Sequence, residues 1–320
     1  MKWWLALGSM AMVWAQSPKP QVCCGRLDRV EAMPSAFVDA KNIDIWLPQD
    51  YTPTQKYAVL YMHDGQMLYD AATTWNKQAW EVDETAQKLI DAKQVQPFIV
   101  VGIWNHPQKR HAEYFPQKPY AHLTLEQQDW VTAQLREKGR TDLPHFQPIS
   151  DNYLKFIVEE LKPYIDRTYA TYADASHTFV AGSSMGGLIS WYAMCEYPNV
   201  FGGAACLSTH WPGVFGTDNN PIPDAFIQYL QQKWPSLKNN HLLYMDCGDQ
   251  TLDALYPPLQ KKVDEALHAS HTLQGPVVSQ LFPGTDHSEK AWQSRLSTPL
   301  TYLLTPKKTN KTNLKKAKKQ

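Results

Sequence analysis

The sequence predicts an α/β fold with a mostly parallel central sheet and helices on both faces. Short, continuous apolar runs recur along the chain, as the buried strands of a parallel sheet require. Amphipathic stretches of helical length lie between several of these runs. A glycine-rich turn at 182–187 then joins one apolar run to a helical stretch, which is the order strand, turn, helix.

The strands follow from these runs. Two segments, 26–35 and 42–48, predict an antiparallel start to the sheet, and the second of them alternates polar and apolar residues. The remaining strands are predicted from apolar runs at 57–62, 97–101, 178–181, 200–207, 241–247 and 277–282.

Helices are predicted between the strands, at 80–92, 187–196 and 261–268. The stretch 153–168 is amphipathic, but Pro163 lies inside it, so a kink or a restart is expected there. The polar region 123–146 is interpreted as an inserted lid or flank, with a helix at 127–138.

The two ends of the chain differ from the rest. Residues 1–15 combine Lys2 with an apolar run too short to span a bilayer, which predicts a secretory signal and an exported protein, periplasmic or extracellular. The alternative is an N-terminal strand or helix of the fold. A single α/β domain is predicted over 22–305, and the basic, low-complexity tail at 306–320 is predicted to be disordered.

The charge balance is even, with 31 Lys plus Arg against 31 Asp plus Glu. It therefore gives no argument for a nucleic acid or a membrane surface as partner. The chain holds 12 Trp and 16 Tyr, which suit a core but also a cleft that stacks on sugars or phenolic rings. The composition leaves both open and does not predict the oligomeric state.

The five cysteines are an odd number, so in an exported chain at least one thiol stays unpaired or pairs outside the chain. Cys23 and Cys24 are neighbours, and the sequence assigns them no role. Cys195, Cys206 and Cys247 lie in apolar runs and are predicted to be small buried hydrophobic residues.

Metal-ligand spacings of the Cys-x-x-Cys or His-x-x-x-His type do not occur in the sequence. His268 and His271 form a lone pair that is more typical of a solvated helix face than of a metal site. We therefore predict neither a metal ion nor an organic cofactor.

The turn Gly182-Ser183-Ser184-Met185-Gly186 fits Gly-x-Ser-x-Gly, the pattern of a nucleophile elbow. A strand that turns sharply into a helix holds its middle residue in a strained conformation, with the side chain exposed at the end of the sheet. Ser184 is therefore the candidate nucleophile, and Gly182 and Gly186 are expected to be small for steric reasons. The alternative is a turn that only packs a helix onto the sheet.

Two backbone amides are predicted to form an oxyanion hole. One is that of Met185, the residue after the nucleophile. The other comes from the loop after strand 57–62, where Gln66 is the first choice and Gly65 the next. His63 in the same loop is expected to be a hydrogen-bonded structural histidine rather than a catalytic one.

The acid is expected in the loop after the penultimate strand, 241–247, because it must orient a base at the neighbouring strand end. Asp246, Asp249 and Asp253 all qualify, and their spacing alone does not choose between them.

The base is expected on the loop after the last strand, where His287 lies. The order Ser184, Asp253, His287 is then the order nucleophile, acid, base that the elbow pattern leads us to expect. His210 is a rival, but it comes too early in this order. The alternative for His287 is a residue that caps the helix starting near Glu289.

Four residues are candidates for contact with a substrate. Arg110, Glu113 and Tyr114 lie in the loop 105–120, which follows a parallel strand and should lie over the carboxyl ends of the sheet. An internal salt bridge that orders this loop is an equal alternative. Trp211 could line an acyl or sugar pocket, and its alternative is packing within a loop.

Together, these motifs resemble the "putative esterase" family of α/β-hydrolases, which includes enterochelin esterases, feruloyl and acetyl xylan esterases, esterase D and mycolyltransferases. The resemblance covers about 42–304, and it implies an α/β-hydrolase fold. It is carried by 61–66, Arg110 with Glu113-Tyr114, 182–187, Gly248 with Leu252-Asp253, and 287–289 with Trp292 and Arg295.

The family pattern of a glycine followed by Leu-Asp favours Asp253 as the acid, whereas the residues alone leave Asp249 open. The family spans several acyl and sugar preferences, so the resemblance does not name a substrate. The expected activity is that of a secreted serine ester hydrolase with an acyl-serine intermediate, acting on carbohydrate or siderophore esters. An acyltransferase that uses the same acyl-serine and a non-catalytic binding module are the alternatives.

Overall fold

The computed structural model describes residues 18–237, 240–269 and 277–306. The predicted secretory signal at 1–15 and nearly all of the predicted disordered tail, from residue 307 onward, lie outside the described residues. Within the described ranges, none of the helices is both long enough and apolar enough to cross a membrane.

Within the described residues, eight strands form a single sheet in the order β1-β2-β4-β3-β5-β6-β7-β8. β1 pairs with β2 and β2 with β4 in antiparallel fashion, and every later pairing is parallel. The strands are β1 Arg26–Met33, β2 Lys41–Leu47, β3 Ala58–His63, β4 Phe98–Ile103, β5 Thr178–Ser183, β6 Gly203–Leu207, β7 Leu242–Cys247 and β8 Val277–Leu281. The predicted antiparallel start and parallel remainder are confirmed.

β3 is the strand at which the order of the sheet reverses. It pairs with β4 on one side and with β5 on the other, and both pairings are parallel. In open α/β sheets, a crevice forms beyond the carboxyl ends of the strands at such a point. The residues that follow β3 and β5 therefore meet at the crevice, and these are the predicted oxyanion loop and the predicted elbow.

Helices occupy most of the connections between strands, and two more follow β8. They are α1 Val82–Asp91, α2 Arg110–Tyr114, α3 Gln117–Ala121, α4 Leu125–Glu137, α5 Ser150–Lys155, α6 Lys162–Thr168, α7 Met185–Glu196, α8 Ile222–Lys233, α9 Pro257–Ala269, α10 Glu289–Arg295 and α11 Ser297–Leu304. Short 3₁₀ turns at Gly65–Met67 and Thr251–Leu255 carry residues of the candidate site.

The sheet has an apolar layer on each face. Val59 and Tyr61 of β3 belong to one cluster of buried residues, and Leu60 belongs to the other, because successive side chains of a strand point to opposite faces. The first cluster includes residues of α7 and α8, such as Leu188 and Phe226. The second includes residues of α1, α10 and α11. Helices therefore cover both faces, as predicted.

The helical stretch before β5 contains the irregularity that its proline predicts. α5 continues through a π-helical segment, Phe156–Leu161, into α6, where Pro163 lies in the first turn. Because proline has no N–H to donate, it is tolerated at the start of a helix but not in its interior. The widened segment before α6 thus lets the helix restart there.

The loop at 105–120 holds more regular structure than predicted, since two five-residue helices, α2 and α3, form within it. Pro116 lies between them at the N-cap of α3, so its ring ends the first helix and begins the second. The predicted lid helix is α4, which begins with a capping box between Thr124 and Gln127.

The predicted burial of three cysteines is confirmed. Cys195, Cys206 and Cys247 are buried free thiols. Cys23 and Cys24 are joined to one another by a disulfide. The N–H of Cys23 donates to Oδ2 of Asp83 at 2.7 Å, so the N-terminal segment is attached to the start of α1.

Candidate active site

Ser184 lies at the junction of β5 and α7, where the elbow pattern predicts it. Its backbone has φ 57° and ψ −121°, a conformation that is costly for a residue with a Cβ. The surroundings hold it there: its N–H donates to the carbonyl of Leu207 at 2.9 Å, and its carbonyl accepts from the N–H of Gly187 at 3.0 Å. Strain that the neighbouring structure maintains in this way is typical of a functional turn.

The glycines around Ser184 are not equally constrained. A Cβ on Gly182 would lie 2.9 Å from the backbone of Gly186, and one on Gly187 would lie 2.8 Å from Oγ1 of Thr209. A Cβ on Gly186 would meet its nearest neighbour outside its own helix, the Cβ of His63, at 3.4 Å, which is an ordinary contact. The expected need for a glycine is therefore confirmed at Gly182, where a side chain would strike the backbone of Gly186. It is not confirmed at Gly186, where a Cβ has room.

Asp253 and His287 form a close pair. Oδ1 of Asp253 lies 2.5 Å from Nδ1 of His287. The other carboxylate oxygen accepts from Oγ of Ser208 at 2.5 Å and from the N–H of Gly248 at 2.6 Å. Burial alone would raise the pKa of Asp253, but the hydrogen bond to His287 and its charge lower it overall. The carboxylate is therefore held ionised, with every oxygen occupied.

The two rival carboxylates have other partners. Asp246 is fully buried at the end of β7, where Nη2 of Arg295 lies 3.0 Å from its Oδ1. Asp249 accepts from the N–H of Gly284 at 2.7 Å through its Oδ1. Of the three candidates, Asp253 is thus the one that the fold brings to His287.

The imidazole of His287 is confined by aromatic rings. The ring of Trp292 lies edge to face against it at 4.9 Å between centroids, and that of Tyr256 does so at 5.7 Å. Its backbone N–H donates to Oγ1 of Thr251 at 3.0 Å. Because Nδ1 faces Asp253, Nε2 is the nitrogen left to exchange a proton with a hydroxyl.

One cleft of about 1140 Å³ contains Ser184, Met185, Gln66 and His287 among its lining residues. Asp253 lies behind His287, fully buried. The predicted nucleophile, base and oxyanion residues therefore line the same cleft. The predicted acid is hydrogen-bonded to the base on its buried side.

The two predicted oxyanion amides both lie at the start of a helical turn. Met185 is the first residue of α7, and Gln66 lies in the 3₁₀ turn Gly65–Met67 directly after β3. The first N–H groups of a helix have no acceptor within it and point outward together with its positive dipole end. Gly65 packs so closely that an added Cβ would lie 2.5 Å from the backbone of Gly102 on β4.

Arg110 forms the internal salt bridge that was one alternative for it, and its contact with a substrate stays a prediction. Its guanidinium binds Asp64 through two hydrogen bonds, each 2.7 Å long, and Asn105 adds a third to the same carboxylate at 2.6 Å. Burial would raise the pKa of Asp64, but the charge of Arg110 and these hydrogen bonds hold it below its usual value. The Arg110 side chain remains 31% exposed and lines the cleft.

Glu113 and Tyr114 lie outside the lining of the cleft, contrary to the expectation of substrate contact. Both are fully buried. The carboxylate of Glu113 accepts two hydrogen bonds from Nζ of Lys41, at 2.7 and 2.8 Å. The hydroxyl of Tyr114 accepts from the backbone N–H of Asp64 at 3.2 Å. Arg110 and Tyr114 lie one helical turn apart on the same face of α2, and the guanidinium carbon of Arg110 lies 5.2 Å from the centre of the Tyr114 ring. Arg110 lines the cleft at the exposed end of this stack, and Tyr114 packs into the core beneath it.

Trp211 is also buried and does not line the cleft. It packs within its loop, which was the alternative to a role in a substrate pocket. Its ring stacks on that of Trp191 with centroids 6.0 Å apart, and its Nε1–H donates to Oε1 of Gln260 at 2.9 Å. A substrate cannot reach a ring that is covered on its face and satisfied at its nitrogen.

His63 and His210, which also lie near strand ends, each pair with a tyrosine. Nδ1 of His63 lies 2.9 Å from the hydroxyl of Tyr153, and burial lowers the pKa of His63 to about 3. Nδ1 of His210 lies 2.8 Å from the hydroxyl of Tyr256. The expectation that His63 is structural is confirmed, and His210 does not contact the acid.

Sequence reasoning missed the residues that support Asp253. Ser208 follows β6 directly, and its Oγ also accepts from Nε1 of Trp292 and from Nη2 of Arg295, each at 2.9 Å. Trp292 and Arg295 belong to the motifs that carry the family resemblance, which was the available sign that they matter. Their partner Ser208 carries no motif, so only the assembled sheet reveals it.

The rim of the cleft was missed as well. Trp75 is 82% exposed and lines the cleft beside Asn76 and Gln78. The guanidinium carbon of Arg140 lies 5.6 Å above the ring of Phe215, and both residues line the same cleft. No spacing rule connects the segment 75–78 with Arg140 or Phe215, because these come from three separate loops.

The chain is similar to known proteins along most of its length. It matches the family described as "Esterase: Putative esterase" over residues 36–303. It is 23% identical over 158 residues to the Bacillus subtilis (strain 168) protein named "Uncharacterized protein YjcH", covering 49% of this chain and 51% of that protein. The chain thus spans about half the length of the curated relatives it matches.

Solved structures show the same fold. An IroE-like serine hydrolase from Shewanella oneidensis is 18% identical, with a TM-score of 0.63 over 87% of this chain and 79% of that one. The ferulic acid esterase AmCE1/Fae1A from Anaeromyces mucronatus is 16% identical, with a TM-score of 0.58 over 90% of this chain and 92% of that one. The fold is the α/β-hydrolase fold. Because the family match extends from the segment before β2 into α11, the chain belongs to the esterase family described as "Putative esterase".

Proposed function

We propose that this protein is an exported serine ester hydrolase, with Ser184 as nucleophile, His287 as base and Asp253 as the acid that orients it. The observation that carries the proposal is the 2.5 Å contact between Asp253 and His287, beside a cleft that also contains the strained elbow serine. Membership of the esterase family gives the class of reaction.

In the first step, Nε2 of His287 takes the proton of the Ser184 hydroxyl while Oγ attacks the carbonyl carbon of an ester. The carbonyl oxygen becomes negative and accepts hydrogen bonds from the amides of Met185 and Gln66. By analogy with known oxyanion holes, each amide lowers the barrier by about 3–4 kcal/mol. The intermediate then collapses, the alcohol leaves with the proton from His287, and an acyl-serine remains.

In the second step, water replaces the alcohol. His287 takes one proton from the water, the resulting hydroxide attacks the acyl carbon, and the same two amides hold the oxyanion. The acid product leaves and Ser184 recovers its proton from His287. Asp253 keeps the imidazole in one tautomer and stabilises its charged form throughout. Every step uses side chains and backbone amides of this chain.

The residues at the rim of the cleft favour an ester substrate that carries an aromatic ring and polar groups. An exposed indole such as that of Trp75 offers a flat apolar face, and Asn76, Gln78 and Arg140 offer polar contacts around it. Proteins of similar fold are named ferulic acid esterase and ferric enterobactin esterase. We infer that the substrates are carbohydrate or siderophore esters.

Export is part of the proposal. The predicted signal at 1–15 lies outside the described residues, so its support comes from the sequence. The catalytic domain would then correspond to 22–305.

The test is hydrolysis of a panel of acetyl, feruloyl and siderophore esters by the purified protein and by a Ser184→Ala variant, with analysis of the products. The proposal expects the free acid as product from the parent and none above background from the variant. Transfer of the acyl group to an added alcohol or glycan in preference to water would make the protein an acyltransferase. Ligand binding without turnover, unchanged in the Ser184→Ala variant, would make it a binding module and contradict the proposal.

A further inference from the structure

A buried carboxylate, that of Asp64, borders both segments of the proposed oxyanion hole. Asp64 follows β3 and directly precedes the 3₁₀ turn that carries Gln66. It also lies against the first turn of α7, because a Cβ added to Gly186 would lie 3.6 Å from Oδ2 of Asp64. Its charge is therefore held close to the place where the ester oxygen becomes negative, and an uncompensated carboxylate there would oppose that change.

Two side chains from the segment after β4 compensate the charge of Asp64. Arg110 donates to Oδ1 through Nε and to Oδ2 through Nη2, and Asn105 donates to Oδ1 through Nδ2. A guanidinium that binds both oxygens of a carboxylate fixes its plane as well as neutralising it. The ring of Tyr114 lies against this guanidinium from the core side. The carboxylate is therefore both neutralised and held in one orientation.

The backbone of the oxyanion turn is held by the same segment. Asp64 has φ 57° and ψ 45°, in the left-handed region that is costly for a residue with a Cβ. Its N–H donates to the hydroxyl of Tyr114 at 3.2 Å, and its carbonyl accepts from the N–H of Met67 at 2.9 Å, which closes the turn. The side chain of Gln66 accepts from the N–H of Asn105 at 3.2 Å. The conformation that presents the amide of Gln66 therefore depends on these contacts.

We propose that Arg110 is a positioning residue for the oxyanion hole and that it acts through Asp64. It neutralises the carboxylate and fixes the turn that presents the amide of Gln66 to the ester oxygen. This proposal rests on the proposed function. Arg110 and Tyr114 lie one turn apart on α2, so this helix holds Asp64 by its side chain and by its backbone N–H together. The guanidinium keeps its protons throughout, and no bond to it forms or breaks.

A positioning role and a direct contact with the substrate predict different kinetics. Every ester places its carbonyl oxygen in the oxyanion hole in both steps, so loss of a positioning residue lowers kcat for all esters alike. A contact with the acyl or alcohol group instead changes KM, and only for substrates that carry that group. Two esters that share neither group, such as p-nitrophenyl acetate and methyl ferulate, therefore separate the two roles.

The first test is Arg110→Met, which keeps the apolar part of the side chain and removes the guanidinium. We expect kcat to fall by the same factor on both esters, about 10- to 100-fold, since a small displacement of a catalytic group costs that much. KM should change by less than about threefold, because the substrate loses no contact of its own.

The second test adds Asp64→Asn to Arg110→Met. The double variant removes the carboxylate that the single variant leaves uncompensated, and asparagine tolerates the left-handed backbone at position 64 as aspartate does. We expect the double variant to recover kcat by about fivefold or more relative to Arg110→Met, because the two residues act as one pair. A direct contact between Arg110 and the substrate predicts no recovery, since the guanidinium is still missing.

Arg29 offers a matched control for the loss of a buried ion pair. It donates to the two oxygens of Asp44 through Nε at 2.6 Å and Nη2 at 2.8 Å, and Nε1 of Trp104 adds a third hydrogen bond at 2.8 Å. This pair joins β1 to β2 and lies outside the lining of the cleft. Arg29→Met should lower Tm in thermal unfolding, as Arg110→Met does, and leave kcat within about threefold of the parent.

If Arg110→Met does not fold, as judged by thermal unfolding, Arg110→Lys takes its place. Lysine keeps the charge but not the planar pair of donors, so kcat should fall by about 3- to 10-fold, again equally on both esters. A loss confined to one of the two esters would overturn the positioning role.

The outcomes also separate this proposal from the proposed function. A parent that hydrolyses esters, alongside a folded Arg110→Met variant with kcat within about twofold of the parent, would overturn the role of Arg110 alone. Failure of Asp64→Asn to raise the kcat of Arg110→Met would do the same. A folded parent that is not labelled by a fluorophosphonate and hydrolyses no ester would instead refute the proposed function, and the role of Arg110 with it.

Discussion

The carboxylate of Asp253 accepts from three groups at once: Nδ1 of His287, Oγ of Ser208 and the N–H of Gly248. Such a carboxylate cannot rotate without breaking several hydrogen bonds, so it holds the imidazole in one orientation. The neighbouring Asp249, which spacing left as an equal candidate, lacks this contact and accepts instead from Gly284. The pair Asp253 and Asp249 therefore offers a direct comparison at the scale of single residues.

We predict that Asp253→Asn lowers kcat for ester hydrolysis by about 10²- to 10⁴-fold, because an amide cannot hold the required tautomer or stabilise the imidazolium. Asp249→Asn, a substitution in the same loop, should leave kcat within about threefold of the parent. Steady-state kinetics of both variants, with thermal unfolding to confirm that each is folded, tests this. A larger loss of kcat in Asp249→Asn than in Asp253→Asn would show that Asp249, and not Asp253, is the acid.

At the scale of elements, the elbow depends on how closely β5 and α7 approach one another. The contact that sets this approach is between Gly182 and the backbone of Gly186. A methyl group at 182 would have to push the first turn of α7 away from the strand, and it would move Met185 with it. The geometry of the proposed nucleophile, Ser184, and of one proposed oxyanion amide, that of Met185, thus depends on the distance between Gly182 and Gly186.

We predict that Gly182→Ala destabilises the protein by about 1–3 kcal/mol, as overpacking of a dense site does. Gly186→Ala is the matched control, since its Cβ has room and alanine favours a helix by about 1 kcal/mol over glycine. Urea unfolding of both variants measures the difference. Equal destabilisation by the two substitutions would show that the predicted clash at 182 does not determine the elbow.

A second prediction at this scale concerns the start of α1. Burial and a hydrogen bond with Asp83 raise the pKa of Glu84 from 4.5 to about 7. Between these values, the folded protein keeps a proton that the unfolded chain has lost, so the free energy of unfolding should fall as the pH rises. Glu84→Gln should remove this part of the pH dependence.

The measurement is urea unfolding of the parent and of Glu84→Gln at about pH 4.5 and about pH 7. Glu126→Gln is the control, since Glu126 is an exposed residue in the equivalent first turn of α4. If Glu84→Gln and Glu126→Gln show the same pH dependence as the parent, the proton is not held at Glu84.

At the scale of the whole molecule, the site exists because β3 and β5 are neighbours although they are far apart in sequence. β3 ends at His63 and β5 at Ser183, and their parallel pairing brings the oxyanion turn and the elbow to one edge of the sheet. The following strands β7 and β8 are also parallel neighbours, and their loops carry Asp253 and His287. The sheet order therefore assembles the predicted residues.

Much of this was predictable from the sequence, because apolar runs and proline positions act locally. The strands of the described part of the chain and the restart at Pro163 are examples. The inward direction of Glu113 and Tyr114 was not predictable, because it depends on the helix α2, which no periodicity indicated. The partnership of Ser208 with Arg295 was not predictable either, since it joins two elements 87 positions apart.

The central claim is that Ser184 is the activated nucleophile. The most direct measurement is labelling of the folded protein with a fluorophosphonate, followed by mass spectrometry of the proteolytic peptides. We predict one adduct, on Ser184, which is lost in His287→Ala although Ser184 is still present. An adduct on another residue, or labelling of Ser184 that does not change in His287→Ala, would contradict the account.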